Sequence, residues 1–136
     1  MLLKDIASKL NAELHGDGNV DIFAVANLKT AKAHEISFLT DPKYRHLLKS
    51  SQADAVIVKA SDLEHAHGNV LVMADPYVGF AKVAQLLDTT PNISEGIHPT
   101  SCVEEGAVLG KNVSLGANVY VQKGAVIGDN VQLGAN

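Results

Sequence analysis

The sequence predicts an α/β domain over residues 1–90, a linker over 91–96, and the first coils of a parallel β-helix over 97–136. Three observations predict this. In the first part, short apolar runs alternate with amphipathic stretches, the pattern of strands and helices packed in layers. Pro91, Asn92 and Ser94 then follow Thr89 and Thr90 in a polar stretch, where Pro91 discourages helix continuation. Beyond it an aliphatic residue recurs at every sixth position: Ile97, Val103, Leu109, Leu115, Val121, Ile127 and Leu133. A strict short period specifies a stacked solenoid rather than a globular core.

Each element has its own reason. Leu2, Leu3, Ile6, Ala7, Leu10 and Leu14 fall on one helical face. His15-Gly16-Asp17-Gly18-Asn19 is expected to end that helix, with glycine supplying the positive φ of a C-cap. This stretch reads as a turn rather than a phosphate-binding loop, because no helix clearly follows it. Val20, Ile22 and 25–28 read as an irregular strand region, and Glu35-Ile36-Ser37-Phe38-Leu39-Thr40 as a second strand. Asp41-Pro42 starts a short helix over 43–49, since Asp caps and Pro suits the first turn. Tyr44, Leu47 and Leu48 are expected on its inner side. Ala55-Val56-Ile57-Val58 and Val70-Leu71-Val72-Met73 are buried strands, with a polar helical turn at 61–67 between them. Asp75-Pro76 repeats the helix-starting device. Tyr77, Phe80, Ala81, Val83, Ala84 and Leu87 give the helix that follows its apolar face.

In the periodic part, a small or branched residue stands four positions after each of the first six aliphatics: Ser101, Ala107, Val113, Val119, Ala125 and Val131. Both positions face one narrow interior. Gly and Asn gather between them, as in Gly110-Lys111-Asn112, Gly116-Ala117-Asn118 and Gly128-Asp129-Asn130, where corners need tight turns. Three sides of six residues predict a coil of about eighteen. A chance β-meander would not match at two positions through successive repeats. The pattern alone does not fix the hand; general crossover rules favour a right-handed one. The period is still running at Asn136 with no capping element. The sequence is therefore expected to be a piece of a longer protein, its last coil frayed or covered by another chain.

Bulk properties exclude several classes. The chain has 136 residues, 46% hydrophobic and 19% charged, which is a folded composition rather than a disordered one. Its net charge is −4, with Lys and Arg scattered, so nucleic-acid binding is excluded. A single cysteine, Cys102, rules out an internal disulfide and a cysteine metal cluster. Cys102 falls between inward Ser101 and Val103, so it is expected to point outward or sit at a corner. His65 and His67 read as a surface pair rather than a metal site, and His98 before Pro99 reads as structural. No metal and no cofactor is expected. Lys4 and Asp5 come too early for a signal peptide, and no apolar run approaches a transmembrane length. A cytoplasmic location is the expectation.

Leu109-Gly110-Lys111-Asn112-Val113-Ser114 and Ile127-Gly128-Asp129-Asn130-Val131-Gln132 resemble the hexapeptide of acyltransferases. That motif is shared by many acyl- and acetyltransferases and some nucleotidyltransferases. The more specific signal lies earlier, in Ala12-Glu13-Leu14-His15-Gly16-Asp17-Gly18, Ile36-Ser37-Phe38-Leu39-Thr40-Asp41-Pro42-Lys43-Tyr44-Arg45 and Gln85-Leu86-Leu87-Asp88-Thr89-Thr90-Pro91. With these, the whole chain resembles the N-terminal portion of the UDP-3-O-(3-hydroxyacyl)glucosamine N-acyltransferases of lipid A biosynthesis. The resemblance implies a uridine-binding N-terminal domain, a left-handed β-helix and a homotrimer. It also implies a reaction: a 3-hydroxyacyl group passes from acyl carrier protein to the 2-amine of UDP-3-O-acyl-glucosamine. In that family the general base is a His in later coils. None of His15, His34, His46, His65, His67 or His98 occupies a matching position, so the catalytic residue is expected beyond residue 136 and this chain alone is expected to be inactive.

The family's aromatic clamp on the UDP moiety matches Phe38 and Tyr44, and an aromatic pair suits a base because each ring face can stack. Taken alone, Phe38 on a strand is more often core. Asp41 stands where the family usually has Asn. It reads equally as a helix N-cap and as a contact to the uracil edge, though a carboxylate can only accept. Lys43 reads either as a point charge for a phosphate or as a solvated surface residue. A competing hypothesis is a non-catalytic module, the β-helix driving oligomerisation and the α/β domain binding a protein. A sugar nucleotidyltransferase ranks below both, since no Gly-rich basic loop stands near the chain start.

Overall fold

In the computed structural model, which describes residues 1–90 and 95–136, helix α1 spans Leu3–Leu10 and buries Leu3, Ile6, Ala7 and Leu10. It ends at Asn11, which adopts the left-handed conformation (φ 53°) and turns its N–H back onto the Ala7 and Ser8 carbonyls. The sequence placed this end too late, at 15–19. Asparagine, whose short amide tolerates φ > 0, does the work assigned to glycine. Leu14 therefore lies not on the helix but in strand β1 (Glu13–His15). Gly16, at φ 101°, serves the turn beyond it.

Strands β2 (Ala24–Val25), β3 (Glu35–Phe38), β4 (Ala55–Val58) and β5 (Asn69–Val72) join β1 in one sheet of order β1-β5-β4-β3-β2. β1 runs antiparallel to β5, and the other pairs are parallel, so the sheet is mixed. One face packs on α1 and on helix α2 (Pro76–Leu87) through Leu3, Ile6, Ile36, Ile57, Leu71 and Val83. Two 3₁₀ helices, Pro42–Lys49 and Ala60–His65, contribute Leu47, Leu48 and Leu63 to the other face, against Leu39, Val56, Val58 and Val70. All of β4 is buried because both faces are covered, which is why it reads as an unbroken apolar run.

Three helix-face expectations are corrected. The Pro42–Lys49 segment winds as a 3₁₀ helix, and it buries Leu48 while Tyr44 stays 47% exposed. On α2 the buried face runs through Pro76, Gly79 and Val83, leaving Tyr77 and Ala81 exposed. Gly79 belongs to that face because Met73 and Ile57 press against its backbone. The irregular strand region at 25–28 yields only the short β2, since Asn27 turns the chain away.

The chain divides into two units, Met1–Asp88 and Thr89–Asn136. Of the linker expected at 91–96, residues 91–94 lie outside the described residues. In the second unit, strands β6 (Cys102–Val103), β7 (Val108–Leu109), β8 (Ser114–Leu115), β9 (Tyr120–Val121), β10 (Val126–Ile127) and β11 (Gln132–Leu133) pair in parallel as β6 with β9, β7 with β10 and β8 with β11. Partners stand one coil apart, as Val126 does over Val108 and Asn130 over Asn112, which donates its amide N–H to Asn130 Oδ1 across 18 positions at 3.2 Å. Val113, Leu115, Val119 and Val121 fill the interior, and Cys102 is exposed.

The corners turn on φ > 0 at Gly106, Asn112, Asn118, Gly124 and Asn130. Gly110 and Gly116 serve another purpose, close coil stacking. A Cβ on Gly110 would stand 2.5 Å from the backbone nitrogen of Asp129, and one on Gly116 2.8 Å from that of Ala135. The last coil is not frayed: β11 pairs in register with β8, and Asn136 N–H donates to the Ala117 carbonyl at 2.9 Å. Among the described residues no helix is long and apolar enough to cross a membrane.

Candidate functional site

Parallel strands β2 and β3 lie side by side, and the loops leaving their carboxyl ends enclose a cleft of about 300 Å³. One wall comes from Asn27, Leu28 and Lys29 after β2. The other comes from Phe38, Leu39 and Thr40 at the end of β3, with Tyr44 and Leu47 from the 3₁₀ helix that follows. Crevices outside the carboxyl ends of parallel strands are where open α/β sheets take ligands. The lining is mostly apolar, with polar groups from Asn27, Lys29 and Thr40.

The 3₁₀ helix that carries Tyr44 is fixed at two points. At its start, Asp41 Oδ1 accepts the Lys43 N–H at 3.0 Å, and Pro42 takes the first helical position. Further along, Arg45 Nε donates to Asp62 Oδ1 at 2.7 Å and Nη2 donates to the same oxygen, tying this helix to the buried Asp62 of the second 3₁₀ helix. A charge-assisted pair to a buried carboxylate holds its geometry firmly.

Of the four residues singled out from sequence, the structure brings Phe38 and Tyr44 to the cleft and leaves Asp41 and Lys43 outside its lining. The Phe38 ring packs against Phe80 of α2 at 4.2 Å between centroids and meets Tyr77 edge-on at 5.9 Å. It is thus both part of the aromatic core and part of the cleft. Asp41 is an N-cap, and its second oxygen lies 3.0 Å from Lys43 Nζ. The Lys43 backbone N–H, and then its ammonium, hold the Asp41 carboxyl below its ordinary range; Asp41 in turn raises Lys43. Lys43 Nζ also sits 4.7 Å over the Tyr44 ring, a cation–π contact.

Sequence reasoning missed Asn27, Lys29 and Thr40. Asn27 Oδ1 accepts the N–H groups of Lys29 at 3.0 Å and Thr30 at 3.1 Å, forming a side-chain-capped turn. The polar Asn27 among apolar neighbours was the available signal, overridden by Val25 and Leu28.

Elsewhere the geometry offers little chemistry. A larger, shallower depression of about 920 Å³ on the second unit includes Ile97, Asn112, Asn130 and Gln132, and its one titratable group is Glu95. His98 Nδ1 accepts the Thr100 N–H at 3.2 Å and lies 3.0 Å from Thr100 Oγ1, a structural role. Among the described residues no three His, Cys, Asp or Glu side chains gather to hold a metal.

Residues 19–86 match the family described as LpxD, UDP-3-O-(3-hydroxymyristoyl) glucosamine N-acyltransferase, a span that includes every residue lining the cleft. Residues 97–136 match the bacterial transferase hexapeptide of six repeats. With the parallel stacking above, this makes the second unit the start of a left-handed parallel β-helix. The chain is similar to a UDP-3-O-acylglucosamine N-acyltransferase of Shewanella frigidimarina, 45% identical over 108 residues, or 79% of this chain. The aligned region is 32% of that relative, so the chain spans about a third of the length of the curated relative it matches.

Proposed function

This chain belongs to the LpxD family of UDP-3-O-acylglucosamine N-acyltransferases, and we propose that its first unit binds the uridine of a UDP-linked acylated glucosamine. The observation that carries this reading is that Phe38 and Tyr44 line one cleft at the carboxyl ends of β2 and β3. A base stacked on such rings gains about 1–3 kcal/mol per base. Asp41 and Lys43 serve the clamp indirectly, Asp41 by starting the 3₁₀ helix and Lys43 by covering one face of the Tyr44 ring.

The whole enzyme would transfer a 3-hydroxyacyl group from acyl carrier protein to the sugar's 2-amine. The amine nitrogen attacks the thioester carbonyl, a C–N bond forms, the C–S bond breaks to release the carrier's thiolate, and a base takes the amine proton and passes it to that sulfur. We assign that base to none of this chain's histidines. His98 is the one in the coils, and its Nδ1 is engaged by Thr100. The chain by itself therefore binds nucleotide and does not turn over. Acyl transfer by the 136-residue chain alone would overturn this.

A homotrimer built on the β-helix is supported by its outer surface. Val126 stacks over Val108 in register, 75% and 56% exposed, an outward apolar ladder on one side. The same ladder favours a second reading, a non-catalytic oligomerisation module whose α/β unit binds protein. Calorimetric titration with UDP and UDP-N-acetylglucosamine separates the two. Binding that falls about tenfold or more in Phe38→Ala and Tyr44→Ala supports the uridine clamp. No binding, or no effect of either change, favours the module.

A further inference from the structure

The uridine reading leaves open which group recognises the base edge. The position where the family resemblance puts that contact is Asp41, and both of its oxygens are already engaged by Lys43, one by the backbone N–H and one by the ammonium. A carboxylate, moreover, can only accept, so it could meet the N3–H of uracil but neither of the two carbonyl oxygens. The polar groups of the cleft lie elsewhere, and one of them is unusually well oriented.

Asn27 Oδ1 accepts two backbone N–H groups, from Lys29 and Thr30. Backbone N–H groups only donate, so the amide can stand in one orientation, with its NH₂ directed away from them. That NH₂ makes no hydrogen bond with another described residue, and Asn27 lines the cleft beside Phe38 and Tyr44. Asn27 is exposed, so this is a donor of fixed orientation at the rim of a mostly apolar cleft, the kind of placed polar group that gives a pocket its specificity.

We propose that Asn27 Nδ2 donates to the C4 carbonyl of a uracil held by Phe38 and Tyr44, and so selects uracil over cytosine. Cytosine carries an amino group at C4. Two donors would then face each other, and neither would be satisfied, which is how a site built for one hydrogen-bonding pattern rejects its near-isostere. This rests on the uridine reading above, and the test is arranged so that the two can fail separately.

Asn27→Asp keeps both turn hydrogen bonds, because a carboxylate accepts them equally, and removes the donor. Uridine and cytidine are titrated by NMR into the wild-type chain and into N27D. Nucleosides are used so that the added negative charge meets no phosphate, and a thermal melt checks the fold. Wild type is expected to favour uridine by about tenfold, and N27D to lose or invert that preference. A uridine-to-cytidine ratio unchanged in N27D overturns the role of Asn27, including when both nucleosides weaken together, as a merely structural role would have it. Tyr44→Ala should weaken both nucleosides alike and keep the ratio. Binding of neither nucleoside by wild type sinks the uridine reading and this inference with it.

Discussion

The two units bury apolar side chains by different rules. In the α/β unit each core residue has its own neighbours: Ile57 faces the helices α1 and α2, while Val56 and Val58 beside it face the 3₁₀ helices. In the β-helix one position is repeated, and Leu115 lies between Ile97 in the coil below and Leu133 in the coil above. The first arrangement can make a recess, because loops of unequal length leave neighbouring strands. The second makes a regular prism, and the broad depression on it has Glu95 as its one titratable group. The cleft lined by Phe38 and Tyr44 is accordingly in the aperiodic unit, and the outward pair Val108 and Val126 is in the periodic one.

Deleting a core side chain tests that contrast most strongly. Leu115 and Ile57 are both fully buried, and truncating either to Ala is expected to cost about 2–5 kcal/mol. The consequences should differ in kind. Leu115→Ala breaks a one-dimensional stack, so hydrogen exchange should rise through the coils on both sides of it. Ile57→Ala should raise exchange throughout the five-stranded sheet together. Exchange confined to the mutated residue's own coil would mean that the β-helix is less cooperative than a stack requires.

A pair of glycines sharpens the point about stacking. Gly110 and Gly116 each lie against the next coil: a methyl group on Gly110 would meet the backbone of Gly128 and Asp129, and one on Gly116 the backbone of Gly134 and Ala135. Gly110→Ala is expected to destabilise by about 1–3 kcal/mol through overpacking. Lys111→Ala, at the exposed neighbouring position, should stay within about 0.5 kcal/mol. Denaturant melts of the two variants read the difference, and equal effects would mean that coil spacing does not set the glycine requirement.

The same contrast governs what could be read from sequence. In the β-helix the middle coil was legible, since Leu115, Val121, Val113 and Val119 sit inside where the period puts them and Cys102 sits outside, whereas Ile97, expected inside, is 51% exposed and the hand did not follow from the period. Its exact repeat allows one inference to be checked many times over. In the α/β unit, strands β3, β4 and β5 and both Asp-Pro helix starts were legible, because each rests on local chemistry. The end of α1 was not, because Asn11 took a conformation credited to glycine. The cleft was legible only in part. Phe38 and Tyr44 come from one segment, but Asn27 and Lys29 join them through β2–β3 pairing, and no local signal announces a pairing partner.

Ligand binding gives a smaller effect that separates clamp from core within the cleft. Tyr44 is about half exposed and outside the buried core, so Tyr44→Ala should change stability by no more than about 0.5 kcal/mol while weakening UDP about tenfold. Phe38→Ala should lower both Tm and affinity, because its ring also packs on Phe80. Thermal melts beside the UDP titration check this. A Tyr44→Ala variant that loses stability and keeps affinity would move Tyr44 from clamp to core.

The smallest expected effect is acid sensitivity, and it differs between the units in reach. Glu104 is held below its ordinary range by the Tyr120 hydroxyl first and the Lys123 N–H second, both one coil away. Asp41 is held low by Lys43, two residues along its own chain. A carboxylate whose folded pKa is depressed adds stability above its ordinary range, and that stability is lost as pH falls through the folded value. Protonating Glu104 should therefore loosen the contact between stacked coils, whereas protonating Asp41 should fray only the start of the 3₁₀ helix. Solvent screens both groups, so the changes are small. They are read by hydrogen exchange, corrected for its intrinsic slowing toward acid pH, at Lys123, whose N–H Glu104 accepts, and at Lys43, whose N–H Asp41 accepts, from neutral pH down through the carboxylate range. Glu104→Gln keeps an acceptor but cannot titrate, so it should remove the acid-induced rise at Lys123 and leave the rise at Lys43 intact. A rise at Lys123 that persists in Glu104→Gln would place the acid sensitivity of the β-helix in another group.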